Sequence, residues 1–388
     1  MKVAHIITRL EAGGSTANVL ASARTGETVL ICGRTEAGAL RTAVPAGTAV
    51  WEIPMMRRSV NPALDFLAFL KIALLLRRVR PDIVHTHTSK AGILGRWAAF
   101  ASNMTLPRSC RAAVVHTPHG HVLYGYFGGL KTFIYAVAEK IAAPVTDALI
   151  ALSSGELEES LSAGIGSREQ WVVIPSGVDF PPPEREAAIL RAGRKIRAEH
   201  GIAENDIIAG TVARLEPVKG VRYFLEAAKL VRASARFMIV GGGSEREFLE
   251  RRCAELGLAE KIIFAGHRDN PLDWMAAMDI YIQPSLNEGL GRTVIEAQFL
   301  RKPVAGSNVC GIKDIVKEGV SGFLVPPADP SALAGAVDKL AADAGLRRAF
   351  GEAGRAAVIR PDENGLPYFS GQAMARNLDR LYGKLCGR

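Results

Sequence analysis

The sequence predicts an α/β protein built on two doubly wound parallel sheets. Short β-branched and aliphatic runs alternate with longer helical patterns along nearly the whole chain, and many of those runs end in Gly, Ser or His. Three consecutive prolines, 181–183, then divide the alternation into two series. The 388 residues suit two domains at ~100–200 residues each.

In the first series the apolar runs predict strands at 2–8, 28–32, 48–53, 82–87, 112–117, 146–152 and 171–174. Helical periodicity places helices between them near 15–23, 61–79, 90–102, 129–142 and 154–162. The second series predicts strands at 207–212, 236–240, 261–265, 279–283, 303–306 and 323–325, with helices near 219–232, 244–256, 271–277, 292–300, 312–317 and 331–342. The break, IPSGVDFPPPERE at 174–186, is read as the linker between domains 1–175 and 176–368. A punctuated segment, RPDENGLPYF at 360–369, precedes a last helical stretch to the end.

Two apolar stretches have nearly the length of a membrane span. Residues 112–130 carry no charge, but Pro118 and four glycines interrupt them. Residues 61–80 are interrupted by Asp65 and Lys71, and their apolar side chains point almost all round a helix; the expectation is a buried domain helix. The N-terminal run in MKVAHIITRL is too short for a signal peptide and is read as the first strand. Five widely spaced cysteines (32, 110, 253, 310, 386) form no C-x-x-C pair, which argues against a disulfide framework or a zinc site and fits a reducing cytoplasm.

The most informative segment is DIYIQPSLNEGLGRTVIEAQFL, 279–300. A strand ends at Pro284, a polar loop follows, and a helix begins with Glu296 in its early turns. The helix start offers free N–H groups and a positive dipole end to an anion, and Gly289 and Gly291 let a ligand approach the backbone. Flanking carboxylates, Glu288 and Glu296, are costly beside phosphate unless hydroxyl donors satisfy them, which points to a sugar phosphate. The plainer alternative is a helix start with incidental acids. In TVARLEPVKG, Arg214 and Lys219 follow the second domain's first strand, at the edge where doubly wound sheets bind ligands. There they could clamp a diphosphate and stabilise charge on it as it departs, although basic loop residues are ordinarily just solvated. IVGGGSERE at 239–247 lacks the third glycine of a dinucleotide fingerprint, so a nicotinamide cofactor is disfavoured.

In the first domain, Gly13 and Gly14 open a turn able to reach phosphate or simply to pack tightly. Histidines crowd two strand ends, IVHTHTSKAG (His85, His87) and VVHTPHGHVLYG (His116, His119, His121). No carboxylate shares their spacing, so no metal is expected; His119 is the first choice for a ligand-facing imidazole.

Together GGSTANVL, HTHTSKAG, HTPHG, VARLEPVKG, VGGGSE, SLNEGLGRTVIEA and GVSGFLVPPADPSALA resemble, in order over residues 1–342, the family 4 retaining glycosyltransferases of GT-B fold. The resemblance implies two Rossmann-like domains facing a cleft, a UDP- or GDP-linked sugar donor held mainly by the second, an acceptor held mainly by the first, and no metal or other cofactor. It also implies a C-terminal helix, here 369–388, that crosses back onto the first domain. By position, Arg214 and Lys219 would hold the donor diphosphate, Glu288 hydroxyls of the transferred sugar, and Glu296 the ribose. Amides around Leu290, Gly291 and Arg292 would contact phosphate or sugar, Gly13 and Gly14 would close over the diphosphate, and His119 would sit beside the anomeric carbon. Arg268 would border the base through its backbone. Ser15, Thr16 and Asp314 stand where the family often carries Glu.

Net charge is +9, and residues 1–145 hold 17 Lys and Arg against 7 Asp and Glu, the remainder 31 against 32. The excess in the first domain fits an anionic partner (nucleic acid, an acidic membrane surface or a phosphorylated substrate) or else a merely soluble basic surface. Charge alone suggests peripheral docking at the acidic inner face of a membrane, where a glycan or lipid-linked acceptor would be met. The rivals are an epimerase or phosphorylase of the same fold, the latter needing a Schiff-base Lys that nothing marks, and a nucleic-acid binder. A 6% aromatic share and no recognised motif disfavour nucleic acid.

Overall fold

The computed structural model describes residues 1–11, 13–24, 26–34, 44–120 and 129–387. They form two compact units, Met1–Gly177 with Gly371–Arg388, and Val178–Ser370. His121, named above, lies outside the described residues.

The first unit holds a seven-stranded sheet of β1 (Lys2–Ile7), β2 (Glu27–Cys32), β3 (Ala49–Glu52), β4 (Ile83–His87), β5 (Ala113–Thr117), β6 (Ala148–Ala151) and β7 (Trp171–Val173), in the order β3-β2-β1-β4-β5-β6-β7. The second holds β8 (Ile207–Val212), β9 (Ala235–Val240), β10 (Ile262–Gly266), β11 (Ile280–Gln283), β12 (Val304–Ser307) and β13 (Gly322–Val325), in the order β10-β9-β8-β11-β12-β13. Every pairing is parallel. Strands β4, β6, β11 and β12 are buried throughout because helices cover both faces, which is why they read as continuous runs rather than alternating ones. In each sheet the order reverses beside the first strand, between β1 and β4 and between β8 and β11. Ligands of doubly wound sheets bind at the carboxyl ends of such neighbouring strands.

The helix Gly371–Leu385 belongs to the first unit, where Met374, Leu378, Leu381 and Tyr382 pack with Val3, Ile83, Val115 and Ile150. A larger cluster around Phe224, Phe237, Ile280 and Val337 forms the core of the second unit.

The units part between Gly177 and Val178, inside the expected linker, but the proline run is not excluded from a helix. Pro183 is the first residue of a 17-residue helix, Pro183–Glu199, where its missing N–H and fixed φ are harmless. Ile189, Gly193 and Ile196 are that helix's buried positions, and Arg197 anchors it to Asp279 (2.9 Å) and to the carbonyl of Ala277 (3.0 Å). A second unexpected helix, Ala344–Val358, is capped by the Asp343 side chain, which accepts from Leu346 N. The two brace each other through Arg355, which donates to both Glu186 oxygens (2.6 and 2.8 Å) and holds that carboxyl below its ordinary pKa.

The helix at Pro62–Val79 is also not the buried helix expected. Ala68, Ile72, Leu75 and Leu76 face the core, whereas Phe66, Leu67, Leu70 and Leu74 are exposed. Among the described residues no helix is long and apolar enough to cross a membrane.

Candidate active site

In the second unit, the turn after β8 and the loop after β11 lie against each other. Leu286 N donates to Val218 O (2.8 Å), and Gly220, at φ 64°, lies so close to Pro284 that a Cβ would stand 2.0 Å from its carbonyl oxygen. Only glycine satisfies both demands. This contact brings Lys219 Nζ to 2.6 Å from Glu288 Oε1.

Glu288 is 9% exposed and held from several sides. Its Oε1 also accepts from Gln283 Nε2 (2.9 Å) and Ser285 Oγ (2.9 Å), and Gln283 Oε1 in turn accepts from Tyr281 OH (2.9 Å) and Thr293 Oγ1 (3.2 Å). A carboxylate so fixed presents its remaining oxygen in one orientation. Just beyond, Gly291 at φ 75° caps the eight-residue helix Arg292–Phe299 and, being glycine, supplies no side-chain cap. Leu290 is buried, which leaves its main chain as the part able to meet a ligand.

Glu296 differs from Glu288. Its side chain has no hydrogen bond or ion pair with a described residue, and burial pushes its pKa up to about 6, with Arg292 pulling the other way. Arg214 is exposed in the loop after β8, its guanidinium unpaired among the described residues. Arg268 donates to Ala265 O (2.9 Å) and stacks over Trp274 (4.6 Å). The triple glycine after β9 approaches protein rather than an open site. A Cβ on Gly241 would fall 1.9 Å from Ala213 O and one on Gly243 2.4 Å from Leu215 O, so these glycines let the chain press on the backbone that carries Arg214.

In the first unit, Gly13 precedes the helix Gly14–Ser22 after β1, and both glycines are exposed. His119, at φ 63°, ends a line of imidazoles: its Nε2 lies 2.9 Å from His87 Nδ1, and His87 Nε2 lies 3.0 Å from His5 Nδ1. Burial drives the pKa of His5 down to about 3 and lowers those of His85, His87 and His116. His85 bonds Tyr382 OH (2.6 Å) and Thr117 Oγ1 (2.8 Å). Candidate ligand nitrogens of His5, His85 and His87 lie within 4.8 Å of one another; the ring-to-ring hydrogen bonds suit neutral imidazoles ordering one another. Sequence reading missed His5, whose position opposite His85 depends on the β1–β4 register, and Gln283 and Ser285, whose spacing before Glu288 was the available signal.

The Glycosyl transferases group 1 model matches residues 193–357, and the Glycosyltransferase Family 4 model matches residues 17–180. The UDP-Gal:alpha-D-GlcNAc-diphosphoundecaprenol alpha-1,3-galactosyltransferase of Escherichia coli is 30% identical over 302 residues, 76% of this chain and 75% of that protein. The capsular polysaccharide biosynthesis glycosyltransferase CapM of Staphylococcus aureus is 27% identical over 335 residues, 84% and 83% of the two chains. Among solved structures, Anabaena HepE in complex with UDP and glucose superposes with a TM-score of 0.79 at 21% identity, covering 99% of this chain and 100% of that one. WaaG, a glycosyltransferase involved in lipopolysaccharide biosynthesis, gives 0.75 at 18% identity and full coverage of both. The two parallel-sheet domains are therefore those of the GT-B fold, and the protein is a glycosyltransferase. It belongs to the family 4, group 1 glycosyltransferases.

Proposed function

We propose that the chain transfers a sugar from a UDP- or GDP-linked donor to a glycan or lipid-linked acceptor in the assembly of cell-surface polysaccharide or lipopolysaccharide, retaining the anomeric configuration and using no metal ion. The observation that carries this reading is the Lys219–Glu288 pair at the adjoining ends of β8 and β11, beside the open helix start at Gly291. The named substrates and processes of the relatives support it: a UDP-sugar and a diphosphoundecaprenol acceptor in one, capsule and lipopolysaccharide in others.

In this reading Arg214 and Lys219 hold the donor diphosphate. Lys219 then exchanges part of its contact with Glu288 for phosphate, which frees Glu288 to accept from sugar hydroxyls. The unpartnered Glu296 accepts from the ribose, and amides near Gly291 and Arg292 meet phosphate or sugar. The resemblance gives the first unit the acceptor and assigns Gly13, Gly14 and His119 to the diphosphate and the anomeric carbon; the backbone after Gly266, at Arg268, borders the base. Attack comes from the leaving group's own face, and the departing diphosphate takes the acceptor's proton while the two cations stabilise its charge. The +10 of residues 1–145 supports a cytoplasmic protein lying peripherally on the inner membrane face.

Lys219→Ala is expected to lower turnover by roughly 10²–10³, the effect of losing one preorganised charge partner. Single-turnover assays with UDP- and GDP-sugars, followed by NMR of the product's anomeric centre with and without EDTA, test the reading. Wild-type turnover in the variant removes the diphosphate clamp, an inverted product removes retention, and loss of activity in EDTA removes metal independence.

A further inference from the structure

The first unit contains an open cavity of about 1280 Å³ that none of these roles uses. Its cations come from the carboxyl ends of four adjacent strands: Arg9 after β1, Arg34 after β2, Arg57 and Arg58 after β3, and Lys90 in the first turn of the helix Ser89–Met104 that follows β4. That is the edge at which a doubly wound sheet receives a ligand. The lining's carboxylate is Asp65, already paired with Lys90 at 2.6 Å, and Arg9 is paired with Glu11. Arg34, Arg57 and Arg58 form no ion pair or hydrogen bond with a described residue. Three guanidiniums with no partner among the described residues, all lining one cavity, suit a ligand carrying two or more negative charges.

The rim has a different character. The helices Pro62–Val79 and Gly129–Ala142 both start at this edge, and the early turns of both expose large apolar side chains. Phe66 is 60% exposed, Leu130 76%, Phe133 65%, and Ile134, which also lines the cavity, 56%. A water-soluble sugar phosphate would use the guanidiniums and leave these faces wet. An amphiphile with an anionic head uses both, as do interfacial helices with basic flanks.

We propose that this cavity binds the diphosphate head of a lipid-linked acceptor while the first turns of the two helices rest in the bilayer interface. This rests on the lipid-linked acceptor reading above and assigns that acceptor a site. The cavity exceeds what a diphosphate alone needs, so it also has room for the first sugar of the acceptor.

Flotation of the full chain tests this, with phosphatidylcholine vesicles carrying a polyisoprenyl diphosphate and control vesicles brought to the same surface charge with phosphatidylglycerol. The wild type is expected to prefer the diphosphate lipid. Arg57→Ala with Arg58→Ala should weaken that binding roughly 30-fold, from about fivefold per cation at a membrane surface. Leu130→Ser with Phe133→Ser should weaken binding to both vesicles. Thermal melting checks that these exposed substitutions leave the fold intact. If the wild type prefers the diphosphate lipid and the double-arginine variant does so equally, the head is held elsewhere and only the assigned site falls. If the wild type floats equally on both vesicles, or on neither, the site and the lipid-linked acceptor reading fall together.

Discussion

Glu288 and Glu296 have seven residues between them, one in a loop and one in a helix, yet their surroundings oppose each other. Glu288 is tied down by Lys219, Gln283 and Ser285, whereas the Glu296 carboxyl is desolvated with no partner among the described residues, and its pKa rises to about 6. A raised folded-state pKa means the folded chain takes up this proton first, so the wild type gains stability as pH falls from about 6 toward 4.5 and bears the cost of the ionised form at pH 7. Glu296→Gln is therefore expected to stabilise the free protein by about 1 kcal/mol at pH 7, lose that advantage near pH 4.5, and bind nucleotide sugars more weakly. Urea melts at the two pH values, with donor titrations, check it; a variant less stable at pH 7 would mean that Glu296 has a partner after all. Sequence spacing identified both carboxylates and Lys219 as candidates. It did not show that Lys219 and Glu288 bond, because they lie 69 positions apart in the chain and only the pairing of β8 with β11 brings them together.

At the scale of elements, the helix Pro62–Val79 shows how little composition says about orientation. Its apolar residues run round the whole circumference, and the sequence offered no reason to expect an exposed side. The structure buries Ile72 completely and leaves Leu74 68% exposed. Ile72→Ala is expected to cost 2–5 kcal/mol, with the transfer and cavity terms acting together, at about the usual range for such sites. Leu74→Ser should stay within about 0.5 kcal/mol. Chemical denaturation of the two variants decides; equal losses would mean that Leu74 is covered in solution. The proline run teaches the converse. Proline stops a helix from within but begins one well, and Glu184 and Glu186 in the first turn with Arg197 in the last were readable signs of the helix that follows Pro183.

For the whole molecule, the buried histidines of the first unit set a pH limit. His5, His85, His87 and His116 are held neutral by burial, His5 down to about 3, whereas in the unfolded chain they protonate near 6.5. Their folded-state pKa values are depressed, so their share of stability is complete above pH 6.5 and is lost as pH falls below it, by about 1.4 kcal/mol per pH unit for each imidazole. Glu296 opposes this with a single proton. Stability should therefore fall steeply between pH 6.5 and 5, read as the urea midpoint across that interval, and a flat curve would mean that the rings are hydrated. The cluster draws on distant parts of the chain: His5 from β1, His85 and His87 from β4, His116 from β5 and Tyr382 from the helix Gly371–Leu385.

The sequence alone determined the two α/β series and the loops that carry the candidate residues, because hydrophobic period and Gly or Pro punctuation are written into neighbouring residues. The tertiary structure decided the rest: which carboxylate is partnered, which face of Pro62–Val79 meets water, which imidazoles touch, and that four strand ends gather their cations round one cavity. Each of these depends on which strands lie side by side, and strand order is set by crossovers between residues far apart in the chain, where no local pattern reports it.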